Sequence, residues 1–264
     1  MTISGSVAAI AGIFLVAGWV KGVVGMGLPT VAMGALGLVM APVDAAALIV
    51  VPALVTNVWQ FAAGPARWTI ARRLASMMAF LCLGTAFGIR ILTSSSRWPP
   101  VLLGGVLAAY GALGFFHPRL VVPRRAERRL SPLVGVVAGA LTGATGVFVV
   151  PAVPYFSALD LTRDEMVQAL GFSFTVSTLA LAAALGSSGH YAPGALLSST
   201  GAVVPALLGM LAGRWTRGRI EPAAFRRWFF TAMVVIGGFM VVRGLAPIPF
   251  VPGRQTIYRA SSSR

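Results

Sequence analysis

The sequence is poor in cysteine, acid, lysine and histidine: one Cys, six Asp or Glu, a single lysine and two His among 264 residues. The lone Cys82 lies inside an apolar run, which excludes an internal disulfide framework and any cysteine-cluster metal site. His117 and His190 fall in loops expected on opposite faces, so they do not form a metal site together. Charged residues make up only 10% of the chain and hydrophobic residues 57%, whereas a soluble domain is about a quarter charged. A chain this apolar would expose extended greasy patches to water, and the bilayer is the solvent that suits it. The apolar runs contain no Ser/His/Asp set and no acid pair, so nothing points to an intramembrane enzyme or calls for a cofactor. The first residues lack the basic segment of a secretory signal and read as part of the mature fold.

What the chain does have is glycine (31), proline (17) and arginine, with a net charge of +15. Membrane helices tolerate both Gly and Pro, because neighbouring helices re-satisfy the freed backbone groups. The arginines sit in short loops between apolar runs and not in a basic domain. That pattern marks a cytoplasmic membrane face and argues against nucleic acid as a partner.

A helix needs about 20 apolar residues to cross the hydrocarbon core. Runs of that kind lie near 43–63, 74–93, 101–116, 164–186, 195–213 and 228–245. Two further stretches are interrupted by Gly-rich breaks: 5–41, broken at Lys21–Pro29, and 132–158, broken at Thr142–Pro154. Each reads as two short half-helices or a re-entrant hairpin. The expected fold is therefore an all-α integral membrane protein of about eight helical elements in one domain, with a polar tail over 246–264.

The Arg-rich loop 117–130 divides the chain, and its halves match. Gly18, Gly22 and Gly25 precede Gly139, Gly143 and Gly146 by 121 residues. At the same offset Lys21 falls on Thr142, Asp44 on Glu165, and Thr56-Asn57 on Ser177-Thr178. Farther on, Gly84 and Gly88 correspond to Gly209 and Gly213 at an offset of 125. Ordered matches along both halves indicate a duplication, with repeats over about 5–116 and 131–245. Loops 67–73, 117–130 and 214–227 carry three, five and five arginines, and all should be cytoplasmic. Loop 67–73 aligns with the uncharged 187–193, which places equivalent loops on opposite sides and makes the repeats inverted. Inverted repeats with broken helices recur among transporters.

Broken helices leave amides and carbonyls without helical partners, so such segments face protein or a water-filled cavity. Glycine also lets a ligand approach the backbone. Gly22, Gly25 and Gly27 in one half and Gly143 and Gly146 in the other are therefore candidates to cradle a small anion; the competing role for glycine at such spacing is helix packing, which Gly84, Gly88, Gly209 and Gly213 suit better. Lys21 is an ionisable residue beside the first break and a candidate anion ligand, the alternative being that it snorkels to an interface. Thr142 is its mate in the other half. Thr56, Asn57, Gln60, Gln168, Thr175, Ser177 and Thr178 are polar residues inside apolar runs, candidates for substrate contact or for interhelical hydrogen bonds. Asp44 and Glu165 begin helices and suit caps.

The segments Gly18…Lys21-Gly-Val-Val-Gly-Met-Gly-Leu-Pro29 and Gly139…Gly143-Ala-Thr-Gly-Val-Phe-Val-Val-Pro151, with the helix after each, resemble the TauE/SafE family of sulfite exporters and related permeases over nearly the whole chain. The resemblance implies inverted repeats, a plasma-membrane location, homodimers, and transport of a small anion such as sulfite, an organosulfonate or an organic acid. A role for Lys21 is inferred from the residue itself. Three functions stay open: a secondary transporter coupled to a proton or sodium ion, a passive anion facilitator, and a membrane scaffold subunit.

Overall fold

A computed structural model describes residues 3–116, 121–190 and 193–246. His117 and the tail beyond 246 lie outside that set. Every regular element among the described residues is helical: α1 (Ile3–Val24), α2 (Leu28–Leu36), α3 (Pro42–Ala62), α4 (Arg67–Leu92), α5 (Trp98–Phe116), α6 (Arg124–Thr145), α7 (Ala152–Ser157), α8 (Arg163–Ser187), α9 (Pro193–Gly201), α10 (Val203–Thr216) and α11 (Pro222–Leu245). Helices α9 and α10 run on as one apolar span, Gly194–Arg219. With it, seven described helices are long and apolar enough to cross a membrane.

Local chemistry sets the helix ends. Pro42 and Pro222 open α3 and α11, where a missing N–H costs nothing. Thr162 and Glu165 form a reciprocal capping box at the start of α8. Asp44 stands in the first turn of α3, but its side chain caps no amide there. Both α1 and α6 end in a glycine with positive φ: Gly25 (86°) and Gly146 (73°). The Gly25 amide donates to the Lys21 carbonyl, and the Gly146 amide to the Thr142 carbonyl, each at 2.7 Å. This is the left-handed C-terminal stop that glycine favours.

The arms around these stops are unequal. The sequence predicts two short half-helices at each, but α1 and α6 are each 22 residues long, about 33 Å. The arms that follow have nine and six residues. Apolarity marks depth in a membrane and not helix length, so the polar turns Arg124–Leu130 are absent from the predicted span yet helical.

Packing is by close main-chain approach. Helices α4 and α6 run parallel: Gly135 meets Met77, Gly139 meets Leu81 and Gly143 meets Thr85. A Cβ at Gly139 would lie 2.1 Å from the Leu81 carbonyl oxygen. Helices α1 and α10 are parallel in the same way, Gly18 against Ala206 and Gly22 against Met210. From the facing side, Gly209 and Gly213 press on Leu15 and Trp19, while Gly84 and Gly88 press on Val136 and Ala140. These four glycines therefore do the packing expected of them. Helices α5 and α11 are antiparallel, with Gly104 at Gly237 and Gly111 at Phe230. So are α3 and α8, with Gly171 at Phe61 and Gly64 at Gln168.

These directions gather the Arg-rich ends of α4, α6 and α11 at one end of the bundle. There Arg73 makes a two-pronged ion pair with Glu127, Nε to Oε1 at 2.8 Å and Nη2 to Oε2 at 2.9 Å. Nη2 also donates to the Leu159 carbonyl, and the Tyr155 hydroxyl pairs with that of Ser131 at 2.8 Å. Trp68, Trp98, Trp215 and Trp228 stand exposed near helix ends, where amphipathic rings suit the headgroup level.

Candidate functional site

The two glycine-stopped helix ends meet the middles of α3 and α8. Lys21, in the last turn of α1, is only 4% exposed. Its ammonium donates to Thr56 Oγ1 at 3.1 Å and to Asn57 Oδ1. It therefore does not snorkel to an interface. A cation in the last turn is also favoured by the negative end of the helix dipole. Thr56 can accept because its own proton goes to the Pro52 carbonyl at 2.8 Å. Asn57 presents its carbonyl to Lys21 and leaves its Nδ2 buried without a partner. Thr30 Oγ1, in the first turn of α2, and Ser173 Oγ are buried without partners too. The only ion pair among the described residues is Arg73–Glu127, so Lys21 has no carboxylate to balance it.

Several candidates of the second half surround a space together with residues of α2 and α3. Thr142, Gly146, Ser177 and Thr178 line a cavity of about 20 Å³ whose other walls are apolar: Pro29, Ala46, Ile49, Val50, Phe148, Phe174 and Leu181; that is roughly the room one water needs. No described cation lines it; in the sequence, Thr142 follows Lys21 by 121 residues.

The other candidates divide. Gly25 (φ 86°) and Gly27 (φ 103°) form the break between α1 and α2, and a Cβ at Gly25 would meet nothing within 4 Å. Gly22 and Gly143 lie in helix contacts, where a Cβ would come 2.3 and 2.4 Å from the carbonyls of Met210 and Thr85. Gln60 donates to the Val167 carbonyl at 3.0 Å. Gln168 accepts from the Ala66 amide at 2.8 Å and donates to the Phe61 carbonyl at 3.2 Å, fastening the turn between α3 and α4. Thr175 donates back to the Gly171 carbonyl. Sequence reasoning missed Thr30 and Phe148; their place directly beside the Gly-rich breaks was the signal that would have found them.

Seven described helices long and apolar enough to cross a membrane define a multi-pass membrane protein, and the family match makes it a transporter. The chain belongs to the sulfite exporter TauE/SafE family, whose family model matches residues 10–240. No curated protein and no solved structure matches it.

Proposed function

We propose that the protein carries a small oxyanion, sulfite or an organosulfonate or organic acid, across the bacterial inner membrane by alternating access. The anion is held beside Lys21 by that ammonium, by Asn57 Nδ2 and Thr30 Oγ1, and by the free amides at the start of α2. The observation that carries this reading is Lys21, a lysine 4% exposed among hydrocarbon-embedded helices with only neutral oxygens as partners. An intramembrane charge is expensive and calls for a balancing ion. The N-terminal end of α2 adds a partial positive charge.

Alternating access rests on inverted repeats, with α1 to α5 equivalent to α6, α7, α8, α9–α10 and α11. Three relations support them. Exchanging the halves turns the α1–α10 pair into the α6–α4 pair, and the contacts follow the offsets 121 and 125 residue by residue: Gly18 on Ala206 becomes Gly139 on Leu81, and Gly22 on Met210 becomes Gly143 on Thr85. The equivalent helices α3 and α8, and α5 and α11, pack antiparallel, as a twofold axis in the membrane plane requires and an axis along the normal forbids. The Arg-rich ends then share one face, the cytoplasmic one.

The test is a thermal-unfolding screen of purified protein with sulfite, sulfonates, thiosulfate and carboxylates, since a specific ligand raises apparent stability, followed by flux into liposomes. A saturable shift by one anion class, with matching flux, supports the proposal. Flux that never saturates selects a passive facilitator. Neither binding nor flux selects a scaffold.

A further inference from the structure

Two charged residues are buried among the described ones, Lys21 and Glu127. Glu127 is held by Arg73, and no carboxylate meets Lys21. An ammonium has three N–H groups. Two of them go to Thr56 Oγ1 and Asn57 Oδ1, and the third has no acceptor among the described residues. Both partners are neutral, so this cradle does not require the amine to be charged. A neutral amine keeps two N–H groups for the same two oxygens and turns a lone pair to where the third N–H stood. A carboxylate partner would have fixed the ammonium instead.

The ionisable groups on the neighbouring elements add no buried counter-charge. Helix α2 carries none. Arg214, Arg217 and Arg219, on α10 and the turn after it, are exposed. Asp44 of α3 is exposed too, in the first turn of that helix, about 18 Å along it from Thr56. Tyr110 of α5 donates to Met26 Sδ at 3.6 Å. Glu221 and the three arginines of α11 are exposed. An ammonium in hydrocarbon without a counter-ion is costly, and so is an anion there without a cation. Two states of the site avoid both costs: the ammonium with an anion, and the neutral amine with none.

We propose that Lys21 is the proton carrier of the transport cycle, taking up one proton with each anion and releasing it when the anion leaves. The inference rests on the anion site proposed above. The proton comes from water on the face to which the site is open and binds the Nζ lone pair. The N–H so formed is the one that meets the anion. On the opposite face the anion departs and the same proton returns to water. For a monoanion, neither the loaded nor the empty site carries net charge as it reorients, so the pH difference across the membrane drives the cycle and the potential does not.

The experiment titrates the full-length protein in detergent with methanesulfonate, thiosulfate and acetate, which keep their charge at and above neutral pH. Calorimetry in two buffers of different ionisation heat counts the protons taken up with each anion. The expected result is an uptake approaching one proton per bound anion in alkaline solution, with a dissociation constant that rises about tenfold per pH unit there, since one proton is linked to binding. Lys21→Arg, whose guanidinium keeps its proton throughout, should lose the proton uptake and hold whatever affinity remains flat with pH. In liposomes, acid outside should accumulate a monoanion that binds, at a rate unchanged when potassium and valinomycin set the potential. Binding without proton uptake, or flux that follows the potential and ignores the pH gradient, overturns the coupling and leaves the anion site standing. An unchanged pH slope in Lys21→Arg overturns the assignment to Lys21. Binding of none of the three anions removes the anion site and this inference together.

Discussion

The hydroxyl of Ser199 donates to the Leu48 carbonyl at 2.8 Å, the acceptor that Pro52 leaves without its helical amide. Proline inside a helix removes the bond to the residue four positions back, and a buried carbonyl cannot turn to water in the membrane. The same hydroxyl accepts from the Val51 amide at 3.1 Å, so one fully buried side chain of α9 braces α3 just ahead of Pro52. One turn on, Thr56 leans on the Pro52 carbonyl and faces Lys21. Ser199→Ala should therefore destabilise the protein by about 1–3 kcal/mol, the cost of an orphaned buried polar group. It should also weaken anion binding, whereas Ser199→Thr retains both. Unfolding midpoints and anion titrations of the two variants check this.

Lys21→Ala should leave a folded protein that has lost most of its anion affinity. A bond to a charged group contributes about 1.5–3 kcal/mol, so the dissociation constant should rise roughly ten- to a hundredfold. Calorimetric titration in detergent reads it directly. Unchanged affinity would remove Lys21 from the site.

Close main-chain packing makes glycine substitutions sharply position-dependent. Gly139→Ala puts a methyl 2.1 Å from the Leu81 oxygen, whereas at Gly105 a Cβ meets nothing within 4 Å. The first should cost about 1–3 kcal/mol through forced separation of α4 and α6, while Gly105→Ala should be neutral or mildly stabilising. Thermal unfolding of both in one detergent separates the two outcomes.

At the Arg-rich end, Arg73→Ala strands the nearly buried Glu127 carboxylate. A fully buried pair broken on one side loses about 3–5 kcal/mol; Arg73 is 22% exposed, so a loss of about 2 kcal/mol is expected. The double variant Arg73→Met, Glu127→Leu should recover most of it, since no charge is left unpaired. A double-mutant cycle on unfolding midpoints measures the coupling.

The membrane helices were legible because hydrocarbon imposes a length and an apolar composition that few other structures satisfy. Their ends were less so. Helix α4 starts at Arg67 and not near residue 74, since arginines in the first turns reach the interface without breaking the helix. Among the polar candidates, residue type pointed equally at Thr56 and Thr175, yet one faces Lys21 and the other bonds only its own helix. That difference depends on which face of α3 or α8 meets the glycine-stopped ends, a matter of tertiary approach. Arg73 and Glu127, 54 positions apart, carry no local pattern that would pair them.

The two tight helix pairs, α1 with α10 and α4 with α6, each take one member from either side of the central linker. With backbone touching backbone, each pair is a single stiff bar, and the bars do not follow the halves of the polypeptide. A nick between residues 116 and 124 would therefore leave two fragments that each hold one helix of both bars and stay clasped together. Neither could finish its own assembly, and the pieces would depend on one another to become a protein at all.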